Sequence, residues 1–163
     1  MSHPRLRHRL GIVGALLRSP RDVWLLVRMA AWALAVPVLK FVLPLPRLVR
    51  LVTPRSRHSR RDAQGRVVRL TNLLYGSGAF RLSDNCLERS LVTFRYLAAA
   101  DAAPTLVVGM RGEDNGYLGH AWVTVDGEPV HDAPSFVATL APVVAFAADG
   151  RVLEPPEATN QVG

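Results

Sequence analysis

The C-terminal half of the chain contains residue types that work together in acyl chemistry. Cys86 is the only cysteine among 163 residues, so it cannot form an internal disulfide. It follows three good helix-capping residues, Ser83, Asp84 and Asn85. A helix N-terminus stabilises a thiolate through its dipole and its unpaired backbone N–H groups. Cys86 is therefore a candidate nucleophile, although free cysteines are also often small buried apolar residues.

His120 is the candidate base for this thiol. It follows Gly119 and opens the apolar segment HAWVTV, which is typical of a strand and where an imidazole needs a partner or a function. A nucleophilic thiol requires a group that takes its proton and returns it to the leaving amine, and histidine suits both steps. His3, His8 and His58 lie in basic segments outside this pattern. A histidine held by core hydrogen bonds is the alternative interpretation.

Asp132 is the candidate third member, and hairpin register decides whether it can reach His120. The segments HAWVTV and EPVHD flank Asp126-Gly127 and predict two paired strands. A two-residue turn pairs position 120 with 133 and turns Asp132 away from His120. A three-residue loop that includes Val125 pairs position 120 with 132 and places both side chains on one face. The triad hypothesis therefore predicts the three-residue loop, in which His131 points to the opposite face.

A metal site formed by His120, His131 and Asp132 is a second chemistry that these residue types allow. The predicted register removes His131 from the shared face, so we expect no metal ion and no organic cofactor. In the thiol mechanism, the oxyanion of the acyl intermediate would be bound by the backbone N–H of Cys86 and one further donor. Asn85 is the candidate for that donor.

The elements that must position these residues indicate a mixed α+β domain. The apolar residues that follow Cys86 recur at helical spacing: Leu87, Leu91, Phe94 and Leu97. Asn85 and Glu88 have the spacing of a capping box. After Pro104, TLVVGMR predicts a strand and EDNGYLG a turn-rich loop. The segments VVAFA and RVLE predict a second hairpin around Asp149-Gly150.

Charge divides the chain into two parts. Residues 1–70 carry a net charge of +13 and residues 71–163 a net charge of −6. Residues 53–66 combine proline, serine and glycine with five arginines, which predicts an exposed linker. We therefore predict a basic, Leu-rich helical region with its linker over residues 1–62 and the catalytic domain over residues 63–163.

The region before the linker consists mainly of apolar residues with basic residues at intervals. Residues 18–50 predict two helices, about 20–36 and 45–52, because prolines interrupt the pattern. On one helical wheel the basic residues share an arc: Arg18, Arg21, Arg28, Lys40, Arg47 and Arg50. This arc fits a solvated face, or contact with an anionic membrane surface or an acidic peptide. The longest uncharged run, Met29–Leu39, has 11 residues, so we expect no membrane-spanning helix and no secretory signal, but a cytoplasmic protein with membrane association as an alternative.

Two segments together resemble a known family. NCLERSL at residues 85–91 and GHAWVTVDGEPVHD at residues 119–132 resemble the leader peptidases of lasso peptide biosynthesis, a bacterial branch of the transglutaminase-like cysteine peptidases. The resemblance covers about half of the chain. Carried over position by position, the nucleophile, base and orienting acid of the family fall on Cys86, His120 and Asp132. The resemblance implies a papain-like core, with the nucleophile at a helix start and the other two residues on neighbouring antiparallel strands.

The resemblance also implies a substrate and partners. The substrate would be a ribosomally made precursor peptide, whose leader is removed through a thioester acyl-enzyme before a separate cyclase closes the ring. The expected partners are the precursor, a separate leader-recognition protein and the lasso cyclase, with peripheral membrane contact through residues 18–50 as an option and no nucleic acid. Two other hypotheses stay open: acyl transfer to an amine, as in true transglutaminases, and a basic membrane-surface or nucleic-acid-binding protein in which Cys86 is structural.

Overall fold

The computed structural model describes residues 20–56, 63–75, 85–114 and 116–154. Within these ranges the helices are α1 (Pro20–Val42), α2 (Leu45–Val52), α3 (Ala63–Tyr75), α4 (Cys86–Ala99) and α5 (Pro134–Val137). The strands are β1 (Thr105–Glu113), β2 (Gly116–Val125), β3 (Glu128–Pro129), β4 (Ala141–Phe146) and β5 (Val152–Leu153). They form one antiparallel sheet in the order β3-β2-β1-β4-β5. The predicted α+β fold class is confirmed.

Helix α4 is the element against which α1, α3 and β2 all pack. It begins at Cys86, as predicted, because the Asn85 side-chain oxygen accepts a hydrogen bond of 3.0 Å from the Leu87 backbone N–H and so caps the helix. Of its predicted apolar residues, Leu91, Phe94 and Leu97 are fully buried and Leu87 is partly buried. The Glu88 carboxylate, which was expected to complete a capping box, pairs instead with the Lys40 ammonium of α1.

The N-terminal helices share a hydrophobic core with the rest of the chain. Met29 and Val36 of α1 and Val49 of α2 belong to the same buried cluster as Phe94 of α4 and Phe146 of β4. The core therefore includes helices on both sides of the boundary that we place between residues 62 and 63. That boundary stays a prediction.

Helix α1 is longer than the sequence pattern predicts. It continues through Pro37 to Val42, although proline removes one helical hydrogen bond. The helix is held against α4 on both sides of the proline, by buried Met29 before it and by the Lys40 ion pair after it. This packing explains why Pro37 does not end the helix.

Arg18 lies outside the described residues, and the described members of the predicted basic arc do not form one solvated face. Arg21 and Arg28 are exposed, whereas Lys40 turns towards the core and pairs with buried Glu88. By length and composition alone α1 could cross a membrane, contrary to the expectation from its uncharged run. The core helices of soluble proteins meet the same criterion, so this is weak support for membrane association.

Helix α3 includes part of the predicted linker. Residues 63–66 are helical, and residues 57–62 lie outside the described ranges. The largely apolar residues 67–74 follow the linker, and their sequence pattern predicts no definite element. Val67, Leu70 and Leu74 are buried at helical spacing, so these residues are part of an amphipathic helix. The first turn of α3 can lie in the Arg-rich stretch, because only one face of an amphipathic helix must be apolar.

The sheet extends further than predicted at one hairpin. β1 runs to Glu113 and β2 begins at Gly116, so Tyr117 and Leu118 are strand residues and not part of the predicted loop. Backbone pairing fixes this extension, because Tyr117 is exposed and gives no burial signal. The second predicted hairpin is confirmed: β4 pairs with β5 around a turn that contains Gly150 at a φ of +81°.

Candidate active site

Cys86 occupies the first position of α4 as a half-buried free thiol. At this position its backbone N–H has no partner within the helix, and this is the group that an oxyanion would require. The Asn85 side-chain oxygen is used by the helix cap. The oxyanion role predicted for Asn85 would therefore fall to its amide nitrogen, and it stays a prediction.

His120 and Asp132 lie in direct contact. His120 Nε2 is 3.1 Å from Asp132 Oδ1, and the exposed fractions of the two side chains are 15% and 11%. A carboxylate only accepts hydrogen bonds, so Nε2 carries the proton of this contact. Nδ1 is then the ring nitrogen left to exchange a proton with a thiol. The arrangement orients the imidazole.

The hairpin that brings Asp132 to His120 differs from the one predicted. Asp126 and Gly127 form a two-residue turn with φ angles of +53° and +84°, and Val125 pairs with Glu128. The predicted three-residue loop was wrong, because Asp-Gly accommodates the left-handed backbone of the tight turn that matches strand twist. Strand pairing ends at Pro129, and the last backbone hydrogen bond to β2 runs from the Val130 N–H to the Val123 carbonyl oxygen, after which residues 131 and 132 bend away. Asp132 therefore reaches His120 although strand parity would turn it away.

Arg89 is a site residue that the sequence analysis missed. Its Nη2 donates hydrogen bonds of 2.7 and 2.9 Å to the two carboxylate oxygens of Asp132. Arg89 lies three residues after Cys86 on α4, so the helix that carries the thiol also anchors the acid. The signal available in the sequence was this spacing, which places Cys86 and Arg89 on one helix face.

Aromatic rings enclose the imidazole of His120. The Trp122 ring stacks at a centroid distance of 6.2 Å, and the Phe136 ring of α5 lies edge-on at 5.1 Å. Gly109 makes room for this arrangement, since a Cβ there would lie 2.8 Å from the Trp122 ring and 2.7 Å from the Ala141 carbonyl oxygen. The two rings pack against the imidazole.

His131 lies next to Asp132 but has a different partner. Its Nε2 is 3.2 Å from the Thr93 hydroxyl of α4, and that hydroxyl donates to the Arg89 carbonyl oxygen. The imidazole Nε2–H therefore donates to Thr93, and His131 fixes the bent segment to α4. Burial, and then the Arg89 guanidinium, lower the pKa of His131 to about 4, against an opposing effect of Asp132.

No metal site forms in the described part of the chain. Residues 20–56, 63–75, 85–114 and 116–154 contain no group of three or more His, Cys, Asp or Glu residues that could hold a metal ion. The alternative site from His120, His131 and Asp132 fails because His131 turns to Thr93.

The low pKa of His131 predicts acid sensitivity that a substitution should reduce. The folded state has a pKa of about 4 and the unfolded chain the ordinary 6.5, so the unfolded chain takes up the proton first as the pH falls. The resulting stabilisation of the folded state is complete above pH 6.5. It is lost as the pH falls from 6.5 to about 4, and the free energy of unfolding decreases by at most about 1.4 kcal/mol per pH unit. We expect His131→Gln, which keeps a donor for Thr93, to flatten the dependence of the unfolding free energy on pH in this window.

Urea titrations of both proteins at several pH values between 4 and 7 provide the measurement. Carboxylates that titrate in the same pH range contribute equally to the slope of the unfolding free energy against pH in both proteins. The difference between the two slopes therefore measures the contribution of His131. Identical slopes would show that His131 is not held neutral by its surroundings.

The structure joins the predicted base and acid but does not join the thiol to them. Within the described residues, no hydrogen bond links Cys86 Sγ to His120, whose Nε2 is occupied by Asp132. In structures without substrate, catalytic hydrogen bonds are often long and tighten only in the complex. The contact between α4 and β2, reinforced by the hydrogen bond from the Ser90 hydroxyl to the Ala121 carbonyl oxygen at 2.8 Å, holds the thiol helix beside the strand of His120.

Comparison with known proteins identifies the family. Residues 26–145, which are 120 of the 163 residues, match the transglutaminase-like superfamily. No curated protein and no solved structure gives a significant match. The match covers α1 from residue 26 onwards, α2 to α5 and the strands β1 to β3 completely, and with them Cys86, His120 and Asp132. This chain belongs to the transglutaminase-like superfamily.

Proposed function

We propose that this protein is a cysteine peptidase that removes the leader from a ribosomally made lasso peptide precursor. The observation that carries the proposal is the 3.1 Å contact between His120 Nε2 and Asp132 Oδ1, beside a helix that begins with Cys86. This is the residue set that thiol acyl chemistry requires. The superfamily to which the chain belongs supports a cysteine-type enzyme.

In the proposed reaction, the Cys86 thiol gives its proton to His120, and the thiolate attacks the scissile carbonyl carbon. The oxyanion that forms is bound by the Cys86 backbone N–H, and Asn85 Nδ2 is the candidate second donor. His120 then protonates the departing amine, which leaves a thioester on Cys86. A water molecule gives its proton to His120 and attacks the thioester, which releases the acid and the thiol. Asp132 fixes the tautomer of His120 throughout, and Arg89 holds Asp132 in place.

The choice of substrate class depends on the segments NCLERSL and GHAWVTVDGEPVHD, which resemble the lasso leader peptidases. A precursor with its leader, a separate recognition protein and a lasso cyclase are the proposed partners. The proposed location is the cytoplasm.

Acyl transfer to an amine is the second candidate function. The superfamily includes acyltransferases as well as peptidases, and both form a thioester on the cysteine. They differ in whether water or an amine attacks that thioester. The contact between His120 Nε2 and Asp132 Oδ1 would serve both reactions, so the fate of the thioester decides between them.

The fate of the acyl-enzyme is the test of the proposed function. The protein is incubated with a lasso precursor and its leader-recognition protein in water labelled with heavy oxygen, with and without an added primary amine. We expect one labelled oxygen atom in the new carboxyl terminus of the leader, measured by mass spectrometry, and no amine adduct. Amine adducts as the main product would assign the protein to acyl transfer, and an intact precursor would contradict both functions.

A further inference from the structure

Helix α1 carries an apolar face that no described part of the chain covers. Met29, Ala33 and Val36 face the core, and the opposite side of the helix is exposed. The large apolar residues on that opposite side are Trp24, Val27, Leu34, Val38, Phe41 and Val42. Phe41 is 85% exposed and Trp24 64%. The spacing of three and four residues aligns them along the helix, and we refer to this set as the α1 stripe.

The charges around the α1 stripe are almost entirely positive. Residues 20–56 contain six basic residues and one acidic residue, Asp22, which pairs with Arg66 of α3 at 3.4 Å. Arg21 and Arg28 are exposed and lie beside Trp24 at a cleft of about 420 Å³ between α1, α3 and the end of α4. The surface that complements this region is therefore apolar and anionic.

We propose that α1 docks on an anionic lipid bilayer, with the α1 stripe in the acyl region and Arg21 and Arg28 at the headgroup phosphates. A stripe of this width flanked by arginines is typical of helices that lie in the membrane interface. Indole rings such as that of Trp24 favour the same depth, because they combine an apolar body with one polar N–H. The cleft beside Trp24 has room for a phosphate group next to the guanidinium groups of Arg21 and Arg28.

The packing of α1 favours lying on the bilayer over crossing it. A spanning orientation would remove Met29 and Val36 from the protein core. It would also separate Lys40 from Glu88, whose side chain is 4% exposed, and leave a buried carboxylate without its partner. In the interface orientation the core face stays in place and only the α1 stripe changes its surroundings.

A second copy of this chain is a poorer occupant of the α1 stripe than lipid. Pairing two such surfaces would bring arginines of both copies together, and Asp22 is already engaged with Arg66. Like charges across an interface oppose association. The inference does not depend on peptidase activity, because it uses only the exposure and charge of α1.

Sedimentation with lipid vesicles tests the proposal on the full-length protein. We expect binding to vesicles that contain phosphatidylglycerol, little binding to phosphatidylcholine alone, and weaker binding as salt increases. The double variant Leu34→Gln/Phe41→Gln should weaken binding by about tenfold or more, because it removes two large side chains from the acyl region. Arg21→Gln/Arg28→Gln should reduce the salt dependence as well as the affinity.

Two control variants carry matched changes outside α1. Val152→Gln on β5 replaces an apolar residue that is 56% exposed, and Arg151→Gln replaces an exposed arginine. Both should bind vesicles like the unchanged protein. Absence of binding to phosphatidylglycerol vesicles, or equal binding by the α1 variants and the controls, would overturn the proposal. If the unchanged protein binds no vesicles but forms a dimer that only Leu34→Gln/Phe41→Gln loses, the α1 stripe binds a second copy and the proposal is wrong.

Discussion

Cys86→Ala should abolish leader cleavage and leave the fold intact. Without the sulfur no thioester can form, and the loss of a nucleophile in such a residue set reduces kcat by about 10⁴-fold or more. The stability cost should be small, because Cys86 is half-buried at the first position of α4 and alanine favours helix formation. Mass spectrometry of the precursor and its fragments measures cleavage, and thermal unfolding measures the fold.

Cys86→Ser is the matched variant, since it keeps the size and shape of the side chain. We expect it to be almost as inactive as the alanine variant, because a hydroxyl at this position is far less acidic than a thiol and gives little nucleophile at neutral pH. Cleavage at the normal rate by the alanine variant would end the peptidase assignment. Alkylation of the thiol by iodoacetamide adds an independent check, since reagent access to Cys86 is required in any thiol mechanism.

Sequence reasoning succeeded where the determinants are local. Asn85 caps the helix through a hydrogen bond to a residue two positions away, so the start of α4 at Cys86 could be predicted from neighbouring residue types. The hairpin around Gly150 could be predicted for the same reason, because its turn chemistry lies within a few residues. Cys86 was chosen as the candidate nucleophile on the same local signal, and its role stays a prediction.

Prediction from the sequence failed where a contact joins distant parts of the chain. Strand parity predicts side-chain direction only while pairing continues, and β3 ends at Pro129, three residues before Asp132. The position of Asp132 is set instead by Arg89, 43 residues earlier in the chain. The same limit applies to α1, which passes through Pro37 because its packing on α4 outweighs a local helix-breaking signal. Contacts of this kind leave no periodic pattern in the sequence.

The pair formed by Lys40 and Glu88 predicts the largest effect on stability. Glu88 is 3% exposed and lies in the first turn of α4, two residues after Cys86. Burial, and then the nearby Glu88 carboxylate, raise the pKa of Tyr75 above its usual range. Lys40→Met removes the ammonium that compensates the charge of Glu88, and we expect the unfolding free energy to fall by about 3 to 5 kcal/mol.

The double variant Lys40→Met/Glu88→Gln separates the cost of an unpaired charge from the loss of packing. Without the carboxylate no unpaired charge remains, so we expect this variant to recover most of the stability that Lys40→Met alone loses. Arg151→Met breaks the exposed pair with Asp149 and should cost far less. Urea unfolding of the four proteins measures these differences. A loss in Lys40→Met no larger than in Arg151→Met would show that α1 does not hold the thiol helix through this pair.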